Sequence, residues 1–189
     1  MGREEGASVR RYETIIATLV GISALFVSGY TAYVQRQQVR AVVWPILEFS
    51  TGNDPDLRFI VANKGVGPAI VRHVVVMVDG QPVKTWHDAL VKILGPGKYT
   101  FSQSTIGGHV LAAGESLNAL VWKDKQGTLP SSESGALRST LDEGRQRVAM
   151  EICYCSTLGE CWILRSGFDG NSTRETRTCP DSSEKTFQE

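Results

Sequence analysis

Hydrophobic and polar positions follow two different rules along this chain. From Thr14 to Gln35 no charged residue occurs for 22 positions, and the centre of that run, Ile15 to Val27, is mostly apolar. About 20 such residues, rising 1.5 Å each along a helix, cross the roughly 30 Å of bilayer hydrocarbon. Tyr12 stands at one end and Tyr30 and Tyr33 at the other, with Arg10 and Arg11 outside the first and Arg36 and Arg40 outside the second. Tyr12 and Tyr33 are separated by roughly 31 Å of helical rise, the spacing of two membrane interfaces. A buried core helix would carry an amphipathic stripe and would not be bracketed by arginines. A cleaved signal peptide would end near Val27-Ser28-Gly29, a poor processing site, and would not run on uncharged to Gln35. The pattern predicts a tail over 1–13, a transmembrane helix over 14–35 and a polar linker over 36–41. Ala17, Gly21, Ala24 and Ser28, followed by Thr31, lie at 4-3-4-3 spacing, so small residues fall on one helix face where a second helix can approach.

After the linker, short apolar runs alternate with turn signals. Ala41–Ser50 reads as a first strand, with Pro45 favouring an edge or bulge. Leu57–Asn63 and Ala69–Val78 follow as strands, the latter apolar on both faces and therefore central. Asp79-Gly80 signals a two-residue hairpin into a short strand over Pro82–Thr85. Thr85 caps a short helix with Asp88 as its capping-box partner, Ala89, Leu90, Ile93 and Leu94 form its apolar face, and Gly95-Pro96 stop it. Residues 97–108 read as irregular. Val110–Ala113 and Ser116–Lys123 are strands, 126–135 is a polar loop, and a second short helix over 135–144 presents Leu137 and Leu141 to one side. Arg147–Cys155 and Cys161–Arg165 form a final hairpin, and 167–189 reads as a loosely held polar tail. Seven or eight short strands with two helical insertions predict a mainly-β domain over 42–166, an immunoglobulin-like β-sandwich in broad outline.

Composition narrows the function classes. The 189 residues carry 20 Lys+Arg against 20 Asp+Glu, a formal charge of zero. A nucleic-acid binder needs a surplus of cations to neutralise phosphates, so that partner is excluded. The four tryptophans, Trp44, Trp86, Trp122 and Trp162, are expected in the core, and an exposed one would mark a binding face.

The most specific feature is the segment Cys153 to Trp162. Gly159 suits the left-handed third position of a three-residue loop, Thr157-Leu158-Gly159. That register opposes Cys155 to Cys161, Cys153 to Ile163, Glu151 to Arg165, Tyr154 to Trp162 and Ile152 to Leu164. The inner face is then Val148, Met150, Ile152, Tyr154, Trp162 and Leu164, and the outer face holds the Glu–Arg pair and the cysteines. Directly opposed residues lie about 4.5–5.5 Å apart at Cα, within reach of a disulfide, so Cys155–Cys161 is the expected bridge. Cys153 cannot easily reach Cys155 along one strand, which leaves Cys179 as its partner. Three alternatives remain open: a zinc site on Cys153, Cys155 and Cys161 with Cys179 or a histidine, a redox-active dithiol, or four inert thiols. Cys-x-Cys-x5-Cys lacks zinc-knuckle spacing. The charges nearest in sequence, Glu151 and Glu160, would raise a thiol pKa rather than lower it.

A search for catalytic machinery finds no nucleophile elbow, phosphate loop, zinc-protease helix or calcium loop. His73 lies in the most apolar strand, His87 at a helix start beside Asp88, and His109 after Gly107-Gly108. No catalytic set, resident metal or cofactor is assigned.

Several segments together resemble a family of uncharacterised bacterial single-span membrane proteins. They are the arginine-rich helix exit Gln35 to Arg40, Trp44-Pro45, the N-x-G-x-G-P-A turn Asn63 to Ala69, Val78-Asp79-Gly80, Trp86, and the C-Y-C-S hairpin Cys153 to Ser156 with Cys161-Trp162. The resemblance covers most of 35–162. It implies a bacterial inner membrane and the same architecture, and it supplies no activity. Basic residues near the span ends set orientation. Arg3, Arg10, Arg11 and the amino terminus outweigh Arg36 and Arg40, so the N-terminus is expected in the cytoplasm and the domain in the periplasm or outside the cell. Disulfides require that oxidising side. The expected function is a membrane-anchored, non-catalytic interaction, sensing or accessory module. Its partners would be the bilayer, another copy or another membrane protein through the helix, and an unidentified protein. The alternatives are a thiol-redox or metal-dependent enzyme on the cysteine hairpin, or the same module facing the cytoplasm with free thiols.

Overall fold

The computed structural model describes residues 3–54, 56–122, 131–167, 170–180 and 187–188, with the side chains of 3–11 and 131–134 left aside. The chain forms two units, 1–42 and 43–189.

The first unit is one helix, α1 (Arg3–Val42). Its stretch Tyr12–Val42 is long and apolar enough to cross a membrane, and none of its most apolar window is buried within the protein. The hydroxyls of Thr18, Ser23 and Thr31 each donate to the carbonyl four residues back at 2.8 Å, which satisfies them without water. The segment 36–41, read as a linker, is helical, and the first strand starts at Leu47 rather than Ala41. Gln, Arg and Val carry the helix on, and only the approach to Pro45, which forces the preceding residue out of the helical region, ends it.

The second unit contains two antiparallel sheets and two short helices. One sheet holds β1 (Leu47–Gly52), β2 (Leu57–Asn63), β7 (Ser116–Trp122) and β5 (Ser102–Gln103), in that order. The other runs β10 (Gly170–Thr176), β9 (Cys161–Gly167), β8 (Val148–Cys155), β3 (Ala69–Val78). The far edge of β3 is shared by β4 (Gln81–Val83) and β6 (Val110–Leu111). Leu47, Phe49, Phe59 and Val61 of the first sheet and Val71, Val74, Val76, Met150, Ile152 and Leu164 of the second enter one core. The Leu47 N–H donates to the Tyr154 hydroxyl at 3.4 Å, joining the two sheets.

The hairpin at Asp79-Gly80 has both central residues at positive φ (53° and 73°), as a two-residue turn with the twist of its strands requires. Helix α2 (Trp86–Leu94) carries the capping box of Thr85 with Asp88, both bonds at 3.1 Å. It buries Trp86, Ala89, Leu90 and Ile93. Helix α3 (Ser131–Gly144) buries Leu141 and begins before the expected residue 135. Of the polar loop expected over 126–135, residues 126–130 lie outside the described residues and 131–135 are helical.

Two further expectations change. The segment 167–189 is not a loose tail: β10 lies along the outer edge of β9, and Phe187 enters the core. Nearly every β10 side chain is exposed, so the strand has no apolar alternation to reveal it. The tryptophans divide: Trp86 and Trp122 are buried, Trp162 partly so, and Trp44 is 52% exposed.

Candidate functional site

The site begins with a turn. Ser156 N–H donates to Glu160 O at 2.8 Å and Gly159 N–H to Ser156 O at 3.1 Å, with Gly159 at φ 79°. A residue with a Cβ would be strained there. The turn sets the β8–β9 register, which opposes Cys155 to Cys161, Cys153 to Ile163 and Tyr154 to Trp162. On the outer face Glu151 accepts from Arg165 Nε at 2.6 Å.

All four cysteines gather here. Cys155 is bonded to Cys161 with Cα atoms 4.0 Å apart, and Cys153 to Cys179 with Cα atoms 5.7 Å apart. Cys179 follows β10, so its bridge brings the chain back across the outer side of β9 to reach β8. The outer face is therefore largely covered at the cysteines: Cys153, Cys155, Cys161 and Ile163 are all buried. The Sγ atoms of Cys155, Cys161 and Cys179 lie within 4.8 Å of one another. A thiolate metal site needs such proximity, but sulfurs paired in disulfides have no thiolate to donate.

A β-bulge adds a cation. The β3–β8 register shifts between Val71 and His73, so Arg72 is the extra residue. A bulge re-aims one side chain, and the alternation resumes on the other side of it, with Val71 and Val74 both in the core. Arg72 and Arg177 line the open hollow at the cysteines with the hydroxyl residues Ser156, Thr157 and Thr178. Glu151 is paired with Arg165, and two arginines reach the hollow. Glu160 and Glu175 line an adjoining depression together with Arg177.

Tyr154, beneath the hairpin, is 1% exposed. Burial pushes its phenol above the ordinary tyrosine value, and hydrogen bonds with the Leu47 backbone and the Thr173 side chain work in the other direction.

A second cluster lies in the N-x-G-x-G turn. Asn63 is fully buried and all its amide positions are used. Its Oδ1 accepts from Ile46 N–H at 3.2 Å and Gly65 N–H at 3.0 Å, and its Nδ2 donates to Gly67 O at 2.8 Å and Leu111 O at 3.1 Å. Gly65 and Gly67 lie against the backbone of 43–46, where a Cβ has no room. The motif is a clamp on the segment that precedes β1. Composition points to the motif, but its role depends on a segment twenty residues upstream.

The remaining candidate residues are dispersed. Tyr12, Tyr30, Tyr33 and Arg36 are exposed on α1, Arg10 and Arg11 belong to the same helix, and Ala17, Gly21, Ala24 and Ser28 are exposed along it. His73 is buried in β3 opposite Cys153, His87 is exposed on α2, and His109 precedes β6, its Nε2 3.8 Å from Glu115 Oε1. Asn171, which opens a glycosylation sequon, donates its amide to Phe49 O at 2.9 Å. No family model, no curated protein and no solved structure matches the chain.

Proposed function

We propose that this chain is a single-span protein of a bacterial inner membrane, anchored by α1, with its β domain on the extracytoplasmic side as a non-catalytic interaction, sensing or accessory module. One observation carries the reading: an apolar helix with no buried side chain in its most apolar window precedes a domain closed by two disulfides. An unburied apolar helix of that length is stable in lipid, and disulfides persist where the milieu is oxidising. The arginine balance across α1 supports a cytoplasmic N-terminus.

Trp44 adds to this reading. It stands two residues past the end of α1 and is 52% exposed, and Val66, whose N–H donates to Trp44 O at 3.1 Å, is 65% exposed. Tryptophan favours the headgroup level of a bilayer. The resemblance to uncharacterised single-span membrane proteins points the same way, and the two antiparallel sheets on one core support an immunoglobulin-like domain in broad outline. Partners are the bilayer, a second helix along Ala17, Gly21, Ala24 and Ser28, and a protein that meets the domain.

The test is a thiol count on protein taken from native membranes and alkylated before and after reduction. Four blocked cysteines are expected. Four free, metal-free cysteines would place the domain in the cytoplasm and overturn the reading.

A further inference from the structure

The two disulfides are not isolated from each other. Cys155 Sγ lies 3.9 Å from Cys179 Sγ, although each is bonded to a different cysteine. Cys153 and Cys155 sit two residues apart in β8, and both project to the outer face, where Cys179 meets them. Cys179 is the least buried of the four, and Cys155, Cys161 and Cys179 all line the same open hollow. Thiol–disulfide exchange needs a thiolate within reach of a bonded sulfur, access for a reductant, and an environment that favours the thiolate. The 3.9 Å approach sets Cys155, once its bond to Cys161 is broken, within reach of the bonded Cys179, the hollow opens on the cysteines, and Arg72 and Arg177 line it beside the depression that holds Glu160 and Glu175.

We propose that this cluster is a thiol–disulfide exchange site for an external dithiol, in which Cys179 is passed between Cys153 and Cys155. A thiolate of the external dithiol attacks Cys161 Sγ. The Cys155–Cys161 bond breaks, and its electron pair leaves on Cys155. The second thiol of the reductant resolves the mixed disulfide, releasing Cys161 as a thiol and leaving the reductant as a disulfide. Two electrons have then entered the chain. The Cys155 thiolate attacks Cys179 Sγ, the Cys153–Cys179 bond breaks, and the electron pair goes to Cys153, which takes a proton from water. The product holds a Cys155–Cys179 bridge with thiols at Cys153 and Cys161. The domain thereby accepts two electrons while residue 179 stays covalently attached to β8, so the segment that crosses β9 moves by one cysteine position instead of detaching.

The exchange rests on sulfur positions and not on which side of the membrane the domain faces, so it stands or falls separately from the topology. The test uses the full chain in detergent. In Cys161→Ser, Cys155 is a lone thiol beside the Cys153–Cys179 bridge. After incubation at pH 8, acid quenching and alkylation, chymotryptic cleavage after Tyr154 separates Cys153 from Cys155 for mass mapping. A population with a Cys155–Cys179 bridge and alkylated Cys153 is expected, and the Cys153–Cys179 bridge alone with Cys155 fully alkylated overturns the proposal. The unsubstituted chain is treated in parallel with one equivalent of dithiothreitol. There the Cys155–Cys179 peptide is expected before full reduction, and reduction that passes only through the two original bridges overturns it.

Discussion

The side-chain oxygen of Asn63 accepts the backbone N–H of Ile46 at 3.2 Å, so a residue at the end of β2 fixes the segment leading into β1. Two further bonds from the same amide reach Gly67 O and Leu111 O, and a second N–H, that of Gly65, shares the oxygen. Substituting Asn63→Ala removes two buried and two part-buried hydrogen bonds, and a group left unpaired costs about 1–3 kcal/mol where water cannot enter. The expected loss is about 3 kcal/mol, read by denaturant unfolding of the detergent-solubilised chain through tryptophan fluorescence. Asn63→Asp tests the cause, because it keeps the acceptor for Ile46 and Gly65 but cannot donate to either carbonyl. A change below about 0.5 kcal/mol in both variants would show that the clamp contributes little.

Gly67 is expected to tolerate substitution less than an ordinary loop glycine. A Cβ there would meet the Val43 backbone, which cannot rotate away as a side chain can. Gly67→Ala must therefore displace the segment 43–46 and open the Trp44 O bonds to Val66 and Gly67. Gly107 has open space around its Cα and serves as a control. Destabilisation of about 2 kcal/mol for Gly67→Ala, against well under 1 for Gly107→Ala, is the expected contrast. Equal midpoints for the two variants would show that the lead-in segment is free to move.

The elements legible in the sequence are those with a buried apolar face. Strands β2 and β3 fall on Leu57–Asn63 and Ala69–Val78 as read from pattern, and the β8–β9 register follows from Gly159 and the inward row Ile152, Tyr154, Leu164. What pattern did not reveal has physical reasons. Helix α1 continues past the charged exit because Gln and Arg are good helix formers, so polarity alone does not mark a linker. Strand β10 is an exposed edge with no apolar face. The bulge at Arg72 shifts the alternation of β3 within a run apolar on both faces, so it leaves no trace in the pattern. The approach of Cys179 to Cys155 depends on the return path of the chain across β9, which no local spacing encodes.

Phe187 is a core residue. Phe187 packs edge-on against Trp86 at 5.1 Å between ring centres, its N–H donates to Val74 O at 3.1 Å, and Gln188 N–H donates to Lys84 O at 2.7 Å. Phe187 uses the edge of β3 between the parts paired with β6 and β4, and Gln188 bonds the residue that follows β4. Phe187→Ala removes a buried ring near a chain end, where the surroundings can partly relax, and is expected to cost about 2 kcal/mol. Phe187→Leu should recover most of that loss. A truncation after Pro180 that unfolds like the full chain would show that the ring stabilises nothing.

Asp79 and Arg147 couple the β3–β4 hairpin to the start of β8. Arg147 Nε donates to Asp79 Oδ1 at 2.8 Å and its second nitrogen pairs with Oδ2. The hydrogen bond to Arg147 holds the Asp79 carboxyl below the usual aspartate value, opposed by desolvation, with the charges of Arg147 and Lys92 adding in the same direction as the bond. The unfolded carboxyl titrates near 3.9, so between that value and the lower native one the unfolded chain binds more protons. The pair's contribution is therefore present above about pH 4 and is lost as pH falls through the native value. Asp79 and Arg147 are exposed, so the contribution is modest and weakened by salt. Asp79→Asn isolates it, because asparagine followed by glycine keeps the positive-φ turn while removing the charge. The acid limb of the stability curve should be shallower in Asp79→Asn than in the parent chain at low salt, and the two should converge at 1 M salt. Parallel acid limbs at low salt would mean that the ion pair does not stabilise the hairpin.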